Sequence, residues 1–249
     1  MRKSAFHIFL MSLLVFSACA KKQTIKPEGP YNAVASFTKA NALFEHKDYD
    51  KARNLFEQIR TRDTTGAVAP LAQLRIADIY QKQGEPDSAI NEYRKFLQVY
   101  PDHRFASYAQ YQVAMIYFSQ IEGYDRGFGA AQKALREFEK LRDLYPRNPY
   151  KDSVSMHISR CRYIMASYEF MVGDFYYKKK AYRGALGRFE GILANYPDFR
   201  RTDEVLYLAA GSARALGHKD KAGLYLDQLQ RQYPDSLYAA RARKELAKR

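Results

Sequence analysis

The side chains here that could make or break bonds are few, and their spacing is wrong for it. Five histidines, His7, His46, His103, His157 and His218, stand far apart, with no i, i+4 pair and no cysteine beside any of them. No metal site is expected from such spacing. Carboxylates are plentiful, yet Glu137 and Glu139, or Asp203 and Glu204, are placed so that a helix turns them onto different faces. A general acid and a general base must instead converge on one substrate. No Gly-x-Ser-x-Gly elbow occurs. Gly123, Gly127 and Gly129 surround Tyr124-Asp125-Arg126, but the spacing that cradles phosphate is missing and no strand pattern precedes them. These patterns argue against an enzyme and call for no cofactor.

The two cysteines point elsewhere. Met1-Arg-Lys is followed by an apolar run from Ala5 to Phe16 and then by Ser17-Ala18-Cys19. That run is too short for a membrane span, which takes about 20 apolar residues, and reads as a secretion signal over residues 1–18. Small residues directly before Cys19 resemble the lipobox of bacterial lipoproteins. The resemblance implies that Cys19 becomes the first mature residue and holds outer-membrane lipid through its acyl chains. Ala20 in the next position resembles lipoproteins released to the outer membrane, so a lipid-anchored protein on its periplasmic face is expected. Residues 19–30, with Lys21, Lys22, Lys26 and two prolines, read as a short polar tether reaching at most about 35 Å. Cys161 is then the one cysteine left, so no disulfide is available, and its helical face with Ile158, Ile164 and Met165 predicts a buried, inert thiol.

The elements that would carry a binding surface repeat along the chain. A small residue, an aromatic or Leu four later and Pro twelve later recur as Ala89, Tyr93, Pro101; Ala134, Phe138, Pro146; Ala185, Phe189, Pro197; and Ala222, Leu226, Pro234. An earlier copy, Ala52 and Phe56, has Thr64 in place of the proline. Successive origins are 37, 45, 51 and 37 residues apart, against about 34 for a tetratricopeptide (TPR) unit. Two insertions are therefore expected: a looped excursion over residues 121–129, and a long helix from Asp152 to Lys178, about 40 Å in length. The prediction is an all-α, right-handed solenoid of five TPR-like helical hairpins, closed by a helix over residues 236–249. In that helix Leu237, Ala240 and Leu246 face the array, while Arg241, Arg243, Lys244, Lys248 and Arg249 face water. Residues 31–150 make an N-terminal half and 151–249 a C-terminal half. Asp87 is expected to cap the helix behind it.

Without Arg2 and Lys3 the chain keeps 39 basic residues against 27 acidic ones, about +12. A secreted, tethered protein meets no nucleic acid, so its charge addresses anionic membrane or acidic protein surfaces. Much of it is spread along helix faces, as at Arg136, Lys140 and Arg142.

Several ordered features together resemble the outer-membrane assembly lipoprotein BamD (YfiO, ComL) family across the whole mature chain. They are the tether, two short repeats, Tyr-Pro-Asp-His with Tyr108-Ala-Gln-Tyr111, the glycine-bearing Asp125-Arg126 loop, Phe138 to Tyr150, Tyr168-Glu-Phe, and Arg188-Phe-Glu-Gly191 before Tyr-Pro-Asp. The resemblance implies a non-enzymatic scaffold of the β-barrel assembly (BAM) complex. Its partners would be the barrel subunit through its POTRA domains, other BAM lipoproteins and unfolded outer-membrane β-barrel proteins. Arg188 and Glu190 would then belong to the half that docks on the barrel subunit. First-helix positions Phe37, Asn41, Leu74, Asp78, Tyr108 and Tyr111 would form a groove for an extended segment ending in an aromatic residue. The alternative is a cell-envelope TPR lipoprotein that coordinates peptidoglycan synthesis and division or polysaccharide secretion. The Tol-linked version of it carries an N-terminal coiled coil, and no sustained heptads precede the first repeat here. Cys19→Ala is expected to leave a soluble periplasmic protein, read by cell fractionation; membrane retention of that variant would mean that protein contacts hold it there.

Overall fold

The computed structural model describes residues 31–246, and among them every regular element is a helix. Cys19 and the signal and tether over residues 1–30 lie outside the described residues, as do Lys248 and Arg249 and the side chain of Leu246. The helices are α1 (Ala33–Glu45), α2 (Tyr49–Arg62), α3 (Ala69–Lys82), α4 (Pro86–Val99), α5 (Ala106–Ser119), α6 (Phe128–Leu144), α7 (Lys151–Lys178), α8 (Tyr182–Asn195), α9 (Thr202–Ala215), α10 (Lys219–Gln232) and α11 (Leu237–Leu246). Each of the first ten packs on its neighbour in sequence, and α11 closes against α9 and α10, burying Ala239 and Ala242 where Leu237 and Ala240 were expected; Leu237 is exposed. Five hairpins and a closing helix thus form a TPR-like solenoid.

The same backbone devices recur in each hairpin. Five residues before each of four origins stands a left-handed residue that reverses the chain: Lys47 (φ 61°), Gly84 (φ 77°), Lys180 (φ 60°) and Gly217 (φ 82°). Glycine takes that conformation without a Cβ penalty, whereas the two lysines hold it against one. At the other end, Tyr100, Tyr145, Tyr196 and Tyr233 leave the helix with φ between −134° and −127°. The proline behind each tyrosine disfavours helical geometry there. Each tyrosine amide still donates to the carbonyl four residues back, so the stop leaves no amide orphaned.

The first repeat, lacking that proline, stops by a different route. Asp63 Oδ2 accepts from the amides of Val68 (2.7 Å) and Ala69 (2.9 Å), and Oδ1 accepts from the Thr65 hydroxyl (2.6 Å). The Thr65 hydroxyl and the Val68 amide foremost hold the Asp63 carboxyl down to about 2, so the charge persists at the start of α3, where the helix dipole favours it. Two expectations shift slightly. Pro86, not Asp87, opens α4, with Glu85 at the N-cap, because proline suits the first helical position; Asp87 sits in the first turn. The excursion is shorter than expected, since Gly129 lies in the first turn of α6 with open space around it.

The core repeats as the backbone does. Ala52, Ala89, Ala134 and Ala185 are fully buried, as are Phe56, Tyr93, Phe138 and Phe189 four residues later and Ile59, Phe96, Leu141 and Ile192 three further on. Each such aromatic ring removed from water contributes about 2–3 kcal/mol. In the fifth hairpin Leu226 is only half-buried, because little array remains to cover it. The 28-residue α7 joins α6 through Val154, Cys161, Ile164 and Met165, and joins α8 through Ala166 and Phe170. Burial pushes the Cys161 thiol up to about 12, as suits an inert packing group. Gly173 lets α7 and α8 close up: a Cβ there would meet the Phe189 ring at 2.8 Å. Gly173→Ala is therefore expected to cost about 1–3 kcal/mol, seen as a lower urea midpoint with the helical circular dichroism retained.

Candidate functional site

The first helices of three successive hairpins enclose a recess of about 370 Å³. Phe37 on α1, Leu71 and Leu74 on α3, and Phe105 before α5 give it apolar walls, while Arg75, Asp78, Arg104 and Tyr108 add polar groups. Asp78 is nearly buried, and its carboxylate is well satisfied. The hydroxyls of Tyr93 (2.6 Å) and Tyr108 (2.8 Å) donate to Oδ1, and Arg75 pairs with Oδ2 at 3.2 Å. Burial and the neighbouring Asp78 charge push both tyrosine hydroxyls up, so they remain donors. Arg75 also lies over the Phe44 ring at 5.1 Å, and Arg104 over Phe105 at 4.7 Å. The recess is thus apolar inside and carries two guanidinium groups.

Four of the six residues expected in a groove, Phe37, Leu74, Asp78 and Tyr108, line this one recess. The other two do not. Asn41 lies one turn beyond Phe37, and its side-chain oxygen is buried with no hydrogen-bond donor among the described residues. Tyr111 stacks flat on Tyr150, ring centres 4.1 Å apart, and joins the core around Phe138. Sequence reasoning missed Leu71, Arg75, Arg104 and Phe105. Arg75 and Leu71 are one turn from Leu74 and Asp78, and that spacing could have found them.

Arg188 occupies a polar position that recurs three residues after the origin. In α4 it is Glu92, which accepts from the Gln73 amide at 2.5 Å and pairs with Lys95 (2.6 Å) and Arg60 (3.3 Å). In α6 it is Glu137, which accepts from Gln110 (2.9 Å) and pairs with Arg94 (2.9 Å) and Lys140 (3.3 Å). Burial opposes the Glu137 charge, but Gln110, Lys140 and Arg94 together outweigh it and hold the carboxyl below its ordinary value. In α8 the polarity is reversed: Arg188 stands at the glutamate position and Glu169 at the glutamine position, paired at 2.7 Å. Arg188 remains 43% exposed, whereas Glu92 and Glu137 are 12% and 8% exposed. Beyond Arg188, Gly191 replaces the lysine of the other two clusters, with open space where a side chain would be. Glu190 turns to the next hairpin, where Lys221 and the Tyr225 hydroxyl both reach it at 2.5 Å. Burial works against its charge, yet these partners hold the carboxyl below its ordinary value.

Two of the histidines pack as rings. His157 stacks on Phe138 at 5.0 Å and His103 packs edge-on to Phe96 at 5.5 Å; burial lowers the pKa of each. No helix among the described residues is long and apolar enough to cross a membrane.

A stack of helical hairpins with a lined recess and an exposed, reversed ion pair defines a TPR-like repeat protein. The sequence pattern of the YfiO family, described as outer membrane lipoprotein, matches residues 31–224, and the chain belongs to that family. Among its relatives is an outer membrane protein assembly factor BamD from Rickettsia prowazekii (strain Madrid E), 28% identical over 194 residues, covering 78% of this chain and 77% of that one. Another, of the same description, comes from Neisseria meningitidis serogroup A and is 24% identical over 243 residues, covering 92% and 91%. Among solved structures, a TPR2AB-domain–pHSP90 complex of yeast Sti1 aligns at 12% identity over 86% of this chain and 84% of that one, with a TM-score of 0.48.

Tyr93 connects the core to the recess, being the one tyrosine among the first four aromatic positions of the repeat. Tyr93→Phe is expected to cost about 1–2 kcal/mol, since a buried carboxylate loses a donor. The measurable outcome is a fall of roughly 2–6 °C in Tm, with the helical spectrum unchanged.

Proposed function

We propose that this chain is a non-enzymatic, lipid-anchored scaffold for the assembly of β-barrel proteins into the outer membrane. The recess on α1, α3 and α5 receives unfolded barrel segments, and the Arg188 face of α8 docks on the POTRA region of a barrel subunit. Other assembly lipoproteins join the same complex. The observation that carries this reading is the recess itself, in a chain whose family and relatives are outer-membrane lipoproteins and assembly factors. Its apolar walls suit an aromatic ring, and Arg75 and Arg104 suit the carboxylate that ends a chain.

The reversed pair on α8 supports the second contact. Where Glu92 and Glu137 are turned inward and saturated, Arg188 offers a half-exposed guanidinium beside two glycines, Gly187 and Gly191, that have open space around them. A partner backbone can come close there, and an acidic group on it can share the guanidinium.

Purification of the intact lipoprotein in mild detergent, with mass spectrometry of what survives a moderate salt wash, tests the reading as a whole. Recovery of a POTRA-bearing barrel subunit is expected; recovery of peptidoglycan-synthesis or Tol proteins in its place would reassign the function. For the recess, a peptide ending in Phe with a free carboxylate should bind at least about tenfold more tightly than its amide, the loss of one charge-assisted contact. Equal affinities would remove carboxylate recognition. For α8, Arg188→Glu is expected to weaken POTRA binding with helicity intact. The double variant Glu169→Arg/Arg188→Glu should regain any lost thermal stability but not the binding. Restored binding would mean that Arg188 acts only through its partner Glu169.

A further inference from the structure

The long helix α7 is covered unevenly. One face of its N-terminal half packs on α6 through Val154, Cys161 and Ile164, and its C-terminal half packs on α8. But α8 has 14 residues to the 28 of α7, and at the end of α8 the chain turns back across the middle of the long helix. That turn is held down from both sides. Arg162 donates to the Asn195 carbonyl at 2.7 Å and lies over the Tyr196 ring at 5.7 Å, and Phe199 packs on Tyr163 at 5.8 Å. Past the turn, Met156, Ser159 and Arg160 of α7 are exposed.

Two adjoining cavities occupy that uncovered stretch. The first, about 390 Å³, lies between Met156 and Tyr163 of α7 and Tyr196 and Phe199 of the turn. The second, about 370 Å³, shares Arg160 and Tyr163 with it and runs to Tyr124 in the glycine loop. Met156 and Tyr124 at their edges are 62% and 55% exposed. The charge is lopsided. Arg160, Arg162 and Arg200 line the first cavity with Asp198 as the one carboxylate there, and in the second Glu122 already has Arg126 at 3.7 Å. Arg160 has the Tyr163 ring beneath it at 5.7 Å, which holds the guanidinium over the shared part of the channel.

We propose that this channel beside α7 docks an extended, acidic segment of a partner protein that carries an aromatic or aliphatic side chain into the cavity at Tyr163. The channel lies on other residues than the recess and the Arg188 face, and the inference does not depend on the assembly reading. Charge selects the occupant. Residues 19–30 of this chain bear Lys21, Lys22 and Lys26 against Glu28 alone, so they share the sign of the channel. A second copy would bring another strongly basic chain, with 39 basic residues against 27 acidic ones once Arg2 and Lys3 are removed, and like charges oppose that contact. A lipid headgroup surface matches the charge, but the guanidinium groups line a recess with an aromatic floor, a shape that an extended peptide fills and a planar surface does not.

The test uses the full-length lipoprotein in detergent micelles and a fluorescein-labelled dodecapeptide of Asp and Glu residues around a central Phe-Leu pair, with binding read by anisotropy. Binding that weakens with salt is expected, and Arg160→Glu/Arg200→Glu should weaken it at least about tenfold, because two charge contacts become repulsive. The remote pair Arg241→Glu/Arg243→Glu on α11 should leave it within about twofold. An equal loss in the remote variant, or equal binding of a Lys-substituted peptide, would overturn the proposal in favour of general attraction or micelle partition. Absence of binding would overturn it outright. Displacement by short-chain phosphatidylglycerol as effective as by unlabelled acidic peptide would give the site to lipid instead.

Discussion

No hairpin in this chain can bury its own apolar face, and that constraint organises the rest. The alanine at each origin permits close approach of the two helices, and the ring four residues later fills the space this opens toward the next hairpin. Phe56, Tyr93, Phe138 and Phe189 are accordingly inaccessible to water. Stability therefore depends on neighbours being present, and it fades at the end, where Leu226 is half-covered and α11 supplies the missing layer. Among the described residues the one cysteine, Cys161, is buried and free, so packing rather than a disulfide holds these hairpins together.

Polar groups are fitted into this array at a constant place. The position three residues after the origin sits at the edge of the apolar seam, and in α4 and α6 it holds a glutamate satisfied by an amide and two cations. Fully met groups of this kind stabilise little beyond their neutral counterparts, but they penalise a slipped register, because slippage would strand a buried charge. In α8 the reversal to Glu169 and Arg188 keeps the pair and changes what water or a partner meets: an exposed guanidinium replaces an enclosed carboxylate. The pair thus keeps its place in the array while its exposed charge changes sign.

Insertions account for the other surfaces. Regular TPR-like hairpins have helices of similar length and leave one continuous groove, which here becomes the recess between α1, α3 and α5. The doubled length of α7 breaks the regularity, because α8 cannot cover all of it, and the chain reversal at Tyr196–Arg200 leaves an open channel on the uncovered part. Both surfaces join apolar walls to guanidinium groups. That combination suits extended chains, which offer side chains for burial and charges for pairing along one line.

By itself the sequence determined the repeat: origins, rings and prolines recur at spacings that only a helical hairpin satisfies, so the hairpins, their ends and the long α7 were legible from residue order. Such features arise from contacts within a few turns, for which sequence separation and spatial separation nearly coincide. The groove was legible in part, since Phe37, Leu74, Asp78 and Tyr108 share the first-helix phase. Tertiary structure alone decided that Tyr111 at an equivalent phase stacks on Tyr150, that Glu169 answers Arg188, and that Lys221 and Tyr225 hold Glu190. Those partners lie on or at the start of different helices, 19 to 39 residues away in sequence, and which of several equally spaced side chains meets another depends on the angle and height at which helices pack. No periodicity within one helix carries that information.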